Sequence, residues 1–143
     1  MGQKAQKLRE VMTHEAIALD ANATVGEAAR CMKERNIGDV LVTRDGELCG
    51  IVTDRDLVVR CLVEQEGDAR NRPIGEFCTR ELATLAPDTD VSEAIQVMQD
   101  RAVRRIPIVE NGRPIGVVSL GDLAIARDRK STLGEISAAS PSA

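Results

Sequence analysis

Gly50-Ile-Val-Thr-Asp-Arg-Asp-Leu57 and Gly116-Val-Val-Ser-Leu-Gly-Asp-Leu123 share one form: glycine, two β-branched residues, a hydroxyl, two variable residues, aspartate and leucine. They stand 66 residues apart, and the same step carries Met32 to Met98 and Val25 to Val91. Outward from them the register holds without a gap, Leu8–Leu62 onto Ile74–Asp128, with further identities at Glu10, Thr13, Glu15, Leu19, Glu27, Ala28, Arg35 and Gly46. Positions that differ keep their apolar character, as Val40 with Ile106 and Ile51 with Val117 do. The chain is one unit written twice, and duplication at this length signals two copies stacked face to face. A unit near 60 residues is marginal alone, so the copies are expected to share one core, with function at the seam between them.

Each copy reads as a short helical lead, a strand, a helix, two strands joined by a tight turn, and a closing helix, an α+β fold. In the first copy Lys7–Met12 is the lead and Ile17–Leu19 the first strand. Thr24-Val-Gly-Glu27 has the form of a capping box that opens a helix, and Asp90-Val-Ser-Glu93 repeats it. Asp45-Gly46 and Asn111-Gly112, each between apolar runs, are strong hairpin signals. Closing helices are expected at Asp54–Glu64 and Leu120–Arg127. The repeats therefore occupy residues 8–66 and 74–129; residues 67–73 form a polar linker, and 130–143, poor in apolar residues, a flexible tail.

Composition excludes several function classes. Phe77 is the only aromatic, so the stacking platforms used for single-stranded nucleic acid are missing, and a formal charge of −4 argues against a phosphate-backbone partner. No apolar run approaches the roughly 20 residues of a membrane span, and the polar start carries no secretory core, so a cytoplasmic protein without membrane contact is expected. Cys31, Cys49, Cys61 and Cys78 lack the close spacing of zinc or thioredoxin-like sites and read as small buried hydrophobes. His14 is the only histidine and sits in a polar stretch. No nucleophile–His–acid set or two-His metal site can be assembled, so neither an enzyme nor a metal site is expected.

The paired motifs could carry chemistry. In each, the hydroxyl ends a strand and the aspartate lies in the first turn of a helix, where open N–H groups and the helix dipole favour an anion. An aspartate one turn in can accept from both hydroxyls of a ribose. The same Ser/Thr-x-x-Asp spacing is also a capping box that merely satisfies helix N–H groups. The chain uses Glu at the third position of its other helix starts and Asp here; the shorter side chain is expected to reach its own N-cap less easily, leaving the carboxylate to a guest. Arg55, inside the first motif, could pair with phosphate oxygens or simply be solvated; its counterpart is Gly121. Arg104 and Arg105 stand where the first copy has Gly38 and Asp39, and could face a phosphate or water. Pro107 removes one sheet donor, leaving edge groups able to read a base, where the first copy has Leu41.

The ordered set Val11-Met-Thr13, Thr24-Val-Gly-Glu-Ala28, Asn36-Ile-Gly38, Asp45-Gly46 and Gly50–Leu57, answered by Asp90–Ala94, Arg105-Ile-Pro-Ile-Val109 and Gly116–Leu123, resembles tandem cystathionine-β-synthase (CBS) domains over roughly Leu8 to Arg129. The resemblance implies two βαββα repeats packed about a pseudo-two-fold axis in one compact module, with clefts at the seam that bind adenosine-containing ligands in many relatives. It assigns phosphate contact to Thr53 and Ser119 and ribose contact to Asp56 and Asp122. Backbone near Ile37, Gly38, Asp39 and Val40, and near Arg104, Arg105 and Ile106, would face the base. Leu41 departs from the proline expected in the first copy, and Gly121 supplies no charge. The resemblance further implies a free-standing homodimeric regulatory module: AMP, ADP, ATP or S-adenosylmethionine would act as regulatory ligand, with an unidentified regulated protein as partner. Leu57, Val58, Val59, Cys61, Leu62 and Val63, apolar on more than one helix face, fit such a dimer. The competing expectation is a ligand-free dimerisation or scaffold protein.

Overall fold

A computed structural model describes residues 6–14, 16–63 and 67–135. The elements run α1 (Leu8–Val11), β1 (Ala18–Asp20), α2 (Val25–Arg35), β2 (Asp39–Arg44), β3 (Glu47–Thr53), a π-helix (Asp56–Val63), short 3₁₀ turns at Ala69–Asn71 and Ile74–Glu76, α3 (Val91–Arg101), β4 (Arg105–Glu110), β5 (Arg113–Ser119) and α4 (Leu120–Glu135). This is the α+β class that the repeat pattern predicts.

Local signals explain most boundaries. Thr24 is a true N-cap: its side chain accepts from the Glu27 N–H while Glu27 accepts from the Thr24 N–H. Both hairpin turns place their two central residues at positive φ, Asp45 and Gly46 at 56° and 82°, Asn111 and Gly112 at 55° and 81°. That is the primed geometry which matches strand twist. Helices α2 and α3 end on left-handed residues, Asn36 and Ala102.

Four expectations need correction. Asp90 occupies the N-cap position of α3 without capping, because its carboxylate takes a 2.6 Å hydrogen bond from Lys7 Nζ. The closing helix of the first copy, α-helical at 54–55, winds as a π-helix from Asp56. Helix α4 continues past Arg127 to Glu135, into the segment read as tail; residues 136–143 lie outside the described ones. The second copy has no counterpart to β1 beyond one parallel bridge, Leu85 with Ile108. The cause is Pro107. In the first copy β1 pairs with β2 in parallel and the Leu41 N–H donates to the Ile17 carbonyl; Pro107, at the Leu41 position, has no N–H to give.

Where one core was expected, the described residues give two clusters of buried apolar side chains, one around Val40, Val52, Cys61, Ile74 and Phe77, the other around Leu8, Ile106, Ile108, Val118 and Leu123. Two compact units contain them. Of the described residues, the Gly50 unit comprises 16–63, 67–82 and 111–114; the Gly116 unit comprises 6–14, 83–110 and 115–135. These units cut across the sequence repeats, because each copy's lead packs with the other copy's strands. Leu8, fully buried, sits in the second-copy cluster, and its N–H donates to the Thr89 carbonyl. Ile74, equally buried, sits in the first-copy cluster, and its N–H donates to the Ala23 carbonyl.

Candidate functional site

The exchanged leads explain the glycine that opens each motif. In the Gly50 unit, Ile51 and Thr79 form an antiparallel bridge with reciprocal N–H to carbonyl bonds of 3.0 and 2.8 Å. A Cβ on Gly50 would stand 2.5 Å from the Thr79 carbonyl oxygen. In the Gly116 unit the bridge joins Val117 to Thr13, and a Cβ on Gly116 would stand 2.4 Å from the Thr13 carbonyl oxygen. Glycine at these positions permits a backbone approach that any side chain would block. Thr13 and Thr79, identical across the repeats, were the sequence signal for this contact.

Three residues beyond each glycine, the strand ends in the hydroxyl–acid turn. The Asp56 N–H donates to Thr53 Oγ1 at 3.1 Å, and the Thr53 N–H donates to Asp56 Oδ2 at 2.9 Å. In the other unit the Asp122 N–H donates to Ser119 Oγ at 3.0 Å and the Ser119 N–H to Asp122 Oδ2 at 2.9 Å. Both are closed reciprocal caps. The expectation that aspartate reaches its N-cap less easily and leaves its carboxylate to a guest needs correction: with Oδ2 as acceptor, both carboxylates span the turn. Open helix N–H groups are not found in the first motif either. Asp54 N–H donates to the Gly38 carbonyl, Arg55 N–H to the Asp54 carboxylate and Asp56 N–H to Thr53. In the second motif Leu120 N–H donates to the Arg104 carbonyl.

Each unit brings its own set of sequence-predicted residues together. In the Gly50 unit Asp39 pairs with Thr53 and Val40 with Val52 across β2 and β3, and Gly38 precedes them. A Cβ at Gly38 would meet Asp54 Oδ2 at 3.3 Å. Ile37 packs against the core cluster, Val40 is buried in it, and Arg55 is exposed. The Asp56 side chain is only 17% exposed, and its Oδ1 lies 4.0 Å from an Arg60 guanidinium nitrogen. In the Gly116 unit Ser119 ends β5 and Asp122 follows it; β5 is paired with β4, carrying Arg105, Ile106 and Pro107. Ile106 is fully buried, backbone included, so it offers no surface to a guest in this conformation. The Pro107 carbonyl is not an open edge group: it accepts from the Leu85 N–H at 3.2 Å. Arg104 joins Val103, Leu120 and Arg127 around a groove of about 560 Å³ between α3 and α4, a groove that includes neither Ser119 nor Asp122.

After the box bonds, each site retains a hydroxyl hydrogen on Thr53 or Ser119 as donor and the Oδ1 atom of each aspartate as acceptor, with exposed Arg55 beside one turn and exposed Arg104, whose carbonyl accepts from the Leu120 N–H, beside the other. That inventory suits a ligand presenting both a phosphate and vicinal hydroxyls. Among the described residues no group of His, Cys, Asp and Glu side chains is arranged to hold a metal ion, and no helix is long and apolar enough to cross a membrane.

Known proteins bear on this arrangement. The chain is 35% identical over 118 residues to CBS domain-containing protein YhcV of Bacillus subtilis, covering 82% of this chain and 83% of the relative. Its fold matches the crystal structure of CBSX2 in complex with AMP, with a TM-score of 0.74 at 20% identity over 87% of this chain and 98% of that one. It also matches the CBS domain pair of protein MJ0100 in complex with 5′-methylthioadenosine and S-adenosyl-L-methionine, with a TM-score of 0.73 at 22% identity over 89% and 99%. At those identities the two structures establish the fold. The CBS domain family matches residues 8–62 and 74–129, and with its motif written twice and the fold shared, the chain belongs to that family as a tandem pair.

Proposed function

We propose that this chain is a cytoplasmic, non-catalytic regulatory module that binds an adenosine-containing ligand at its hydroxyl–acid turns and thereby modulates a partner protein. The observation that carries the reading is the repetition of one ligand-capable turn in both units. In each, a hydroxyl and a largely enclosed aspartate follow the strand beside Gly38–Val40 or Arg104–Pro107, and each aspartate keeps an oxygen outside its cap. The ligands present in the related CBSX2 and MJ0100 structures support an adenosyl compound, with AMP, ADP, ATP and S-adenosylmethionine as the class. The two sites are unequal, since Arg55 has only Gly121 as counterpart.

A second reading, a ligand-free dimerisation or scaffold protein, is favoured by two observations. The caps are closed without any guest, and the π-helix exposes Val58, Val59, Leu62 and Val63, the last two at 67% and 73%. Leu57 and Cys61 face the core, so the exposed four are the part of that helix available to a second copy.

Asn in place of the aspartates separates the readings. Its amide oxygen still accepts from the N-cap N–H, while the second carboxylate oxygen, the ribose acceptor, becomes an amide donor. Calorimetric titration of the wild-type chain with each of the four ligands should give binding, and saturation at about 100-fold above Kd should add ~2.7 kcal/mol of stability. Asp56→Asn and Asp122→Asn should lose affinity at about tenfold or more, with the melting temperature of the free protein held. Absence of heat and of thermal shift with all four ligands overturns the sensor reading and leaves the scaffold. With no Trp or Tyr, the melts require calorimetry or an external dye.

A further inference from the structure

Two cysteines far apart in sequence meet at the lead contact of the Gly50 unit. The register of β2 against β3 pairs Val42 with Gly50 and then Thr43 with Leu48, so Cys49 is the extra residue of a β-bulge. A bulge breaks the alternation of side chains, and two successive residues can then face one way. Cys78 comes from the opposite side: its Sγ lies 2.9 Å from the Cβ position of Gly50, beside the Ile51–Thr79 bridge. Cys49, one residue before Gly50, packs against the same core cluster that holds Cys78. Their surroundings differ. Cys78 is 6% exposed, with Sγ 3.5 Å from the Gly75 carbonyl oxygen, whereas Cys49 is half-buried at the edge of the same cluster.

We propose that Cys49 and Cys78 form a redox site that closes to an intramolecular disulfide when the protein meets a peroxide. Cys49, the more accessible, reacts first. Its thiol ionises, the thiolate attacks a peroxide oxygen, an S–O bond forms and the O–O bond breaks; for hydrogen peroxide the departing hydroxide takes up the proton the thiol released, giving a sulfenic acid and water. Cys78 resolves it. Its thiol gives up a proton, its sulfur attacks Cys49 Sγ, the S–S bond forms, the S–O bond breaks, and the departing hydroxide takes the proton as a second water. Two thiols supply two electrons to one peroxide. Burial holds the Cys78 thiol above the ordinary cysteine range, which suits a resolving rather than an attacking role, and the nearby Arg80 guanidinium offsets part of that penalty. The second copy is a built-in contrast. Met12 and Ile115 occupy the positions of Cys78 and Cys49, with Met12 Sδ 3.0 Å from the Gly116 Cβ position, and they cannot form this bond.

The bond would tie β3, four residues before Thr53, to the lead from the other repeat, so that oxidation stiffens one unit and not the other. Peptide mapping can read it directly, because trypsin places each cysteine on a separate peptide, 31–33, 45–55, 61–70 and 71–80. Native full-length protein is treated with stoichiometric hydrogen peroxide, quenched with N-ethylmaleimide and digested without reductant. The expected product is a 45–55/71–80 cross-link, reversed by dithiothreitol, with Cys31 and Cys61 alkylated. In Cys78→Ser, Cys49 should be trapped by dimedone as sulfenic acid; in Cys49→Ser, at a more exposed position, the cross-link should vanish with Cys78 left as a thiol. Recovery of Cys49 and Cys78 as separately alkylated peptides from the oxidised wild type overturns the proposal. So does cross-linking that distributes over all four cysteines, as it should only in urea.

Discussion

The Gly50 and Gly116 units start from the same eight-residue motif and receive the same kind of lead, yet they are finished differently. One carries a three-stranded sheet, a thiol pair at its glycine and a π-wound closing helix; the other has a two-stranded sheet, a methionine at its glycine and a regular α4. What is common to both is set by backbone requirements, namely the bridge at Thr13 or Thr79, the side-chain-free glycine and the reciprocal cap. What differs follows from single side chains. Pro107 for Leu41 removes a donor and with it most of a strand; Cys78 for Met12 changes a packing sulfur into a reactive one. Duplication thus preserves the frame and leaves chemistry to vary at positions the frame does not restrict.

The lead exchange can be broken most directly. Leu8→Ala removes a fully buried side chain from the Gly116 unit and should cost about 3 kcal/mol by urea denaturation. Native-state amide exchange should show the lost protection in β4 and β5, with β2 and β3 little affected; the reverse pattern would mean that leads and strands pair within repeats. Gly50→Ala and Gly116→Ala should cost about 2–3 kcal/mol each, and nearly equally, because at both the nearest collision is with a carbonyl oxygen of the incoming lead, ahead of the Cys78 or Met12 sulfur. A marked inequality would show that Met12 or Cys78, and not the backbone, sets the approach.

Smaller effects sharpen the contrast between helix starts and ends. Ala102 is held at φ 53°, where Asn36 sits at 55°, so Ala102→Gly should stabilise by about 1 kcal/mol while Asn36→Gly changes little. Thr24→Ala should destabilise by about 1 kcal/mol through loss of a cap. Asp90→Ala should have a smaller, salt-sensitive effect, since Asp90 pairs with Lys7 instead of capping α3. The hydrogen bond to Asp90 raises the Lys7 pKa above its ordinary 10.5. The pair's contribution is therefore complete below pH 10.5 and lost as pH rises through the folded-state value, so wild type and Asp90→Ala should converge in alkaline melts.

Elements governed by neighbours in sequence were legible without a structure. The Thr24 capping box, the Asp45-Gly46 and Asn111-Gly112 turns and the paired motifs all announce themselves within four residues. In the Gly50 unit, strand pairing brings Asp39 to Thr53 in the way the βαββα pattern requires, so that juxtaposition was legible. The state of the sites was not. Whether Asp56 reaches back to Thr53 depends on rotamers within a spacing that permits both outcomes, and Asp90, which has that same local spacing, was captured by Lys7 from 83 residues away. The lead exchange was hidden for a related reason: Leu8 and Ile74 are equivalent in the repeat, so periodicity alone cannot say which copy each one completes. Cys49 and Cys78, 29 residues apart in sequence, are brought to one contact only through a bulge that no residue type advertises.

A half-length peptide ending in the linker would lack Ile74 and the segment that fills its hydrophobic centre here, and would have to take an equivalent lead from its own start or from another molecule. Where it comes from another molecule, single copies would associate in pairs, each lending its leader to its twin. Fusing two such copies makes that loan intramolecular, replacing a concentration-dependent assembly by one whose effective concentration is fixed by the connecting chain.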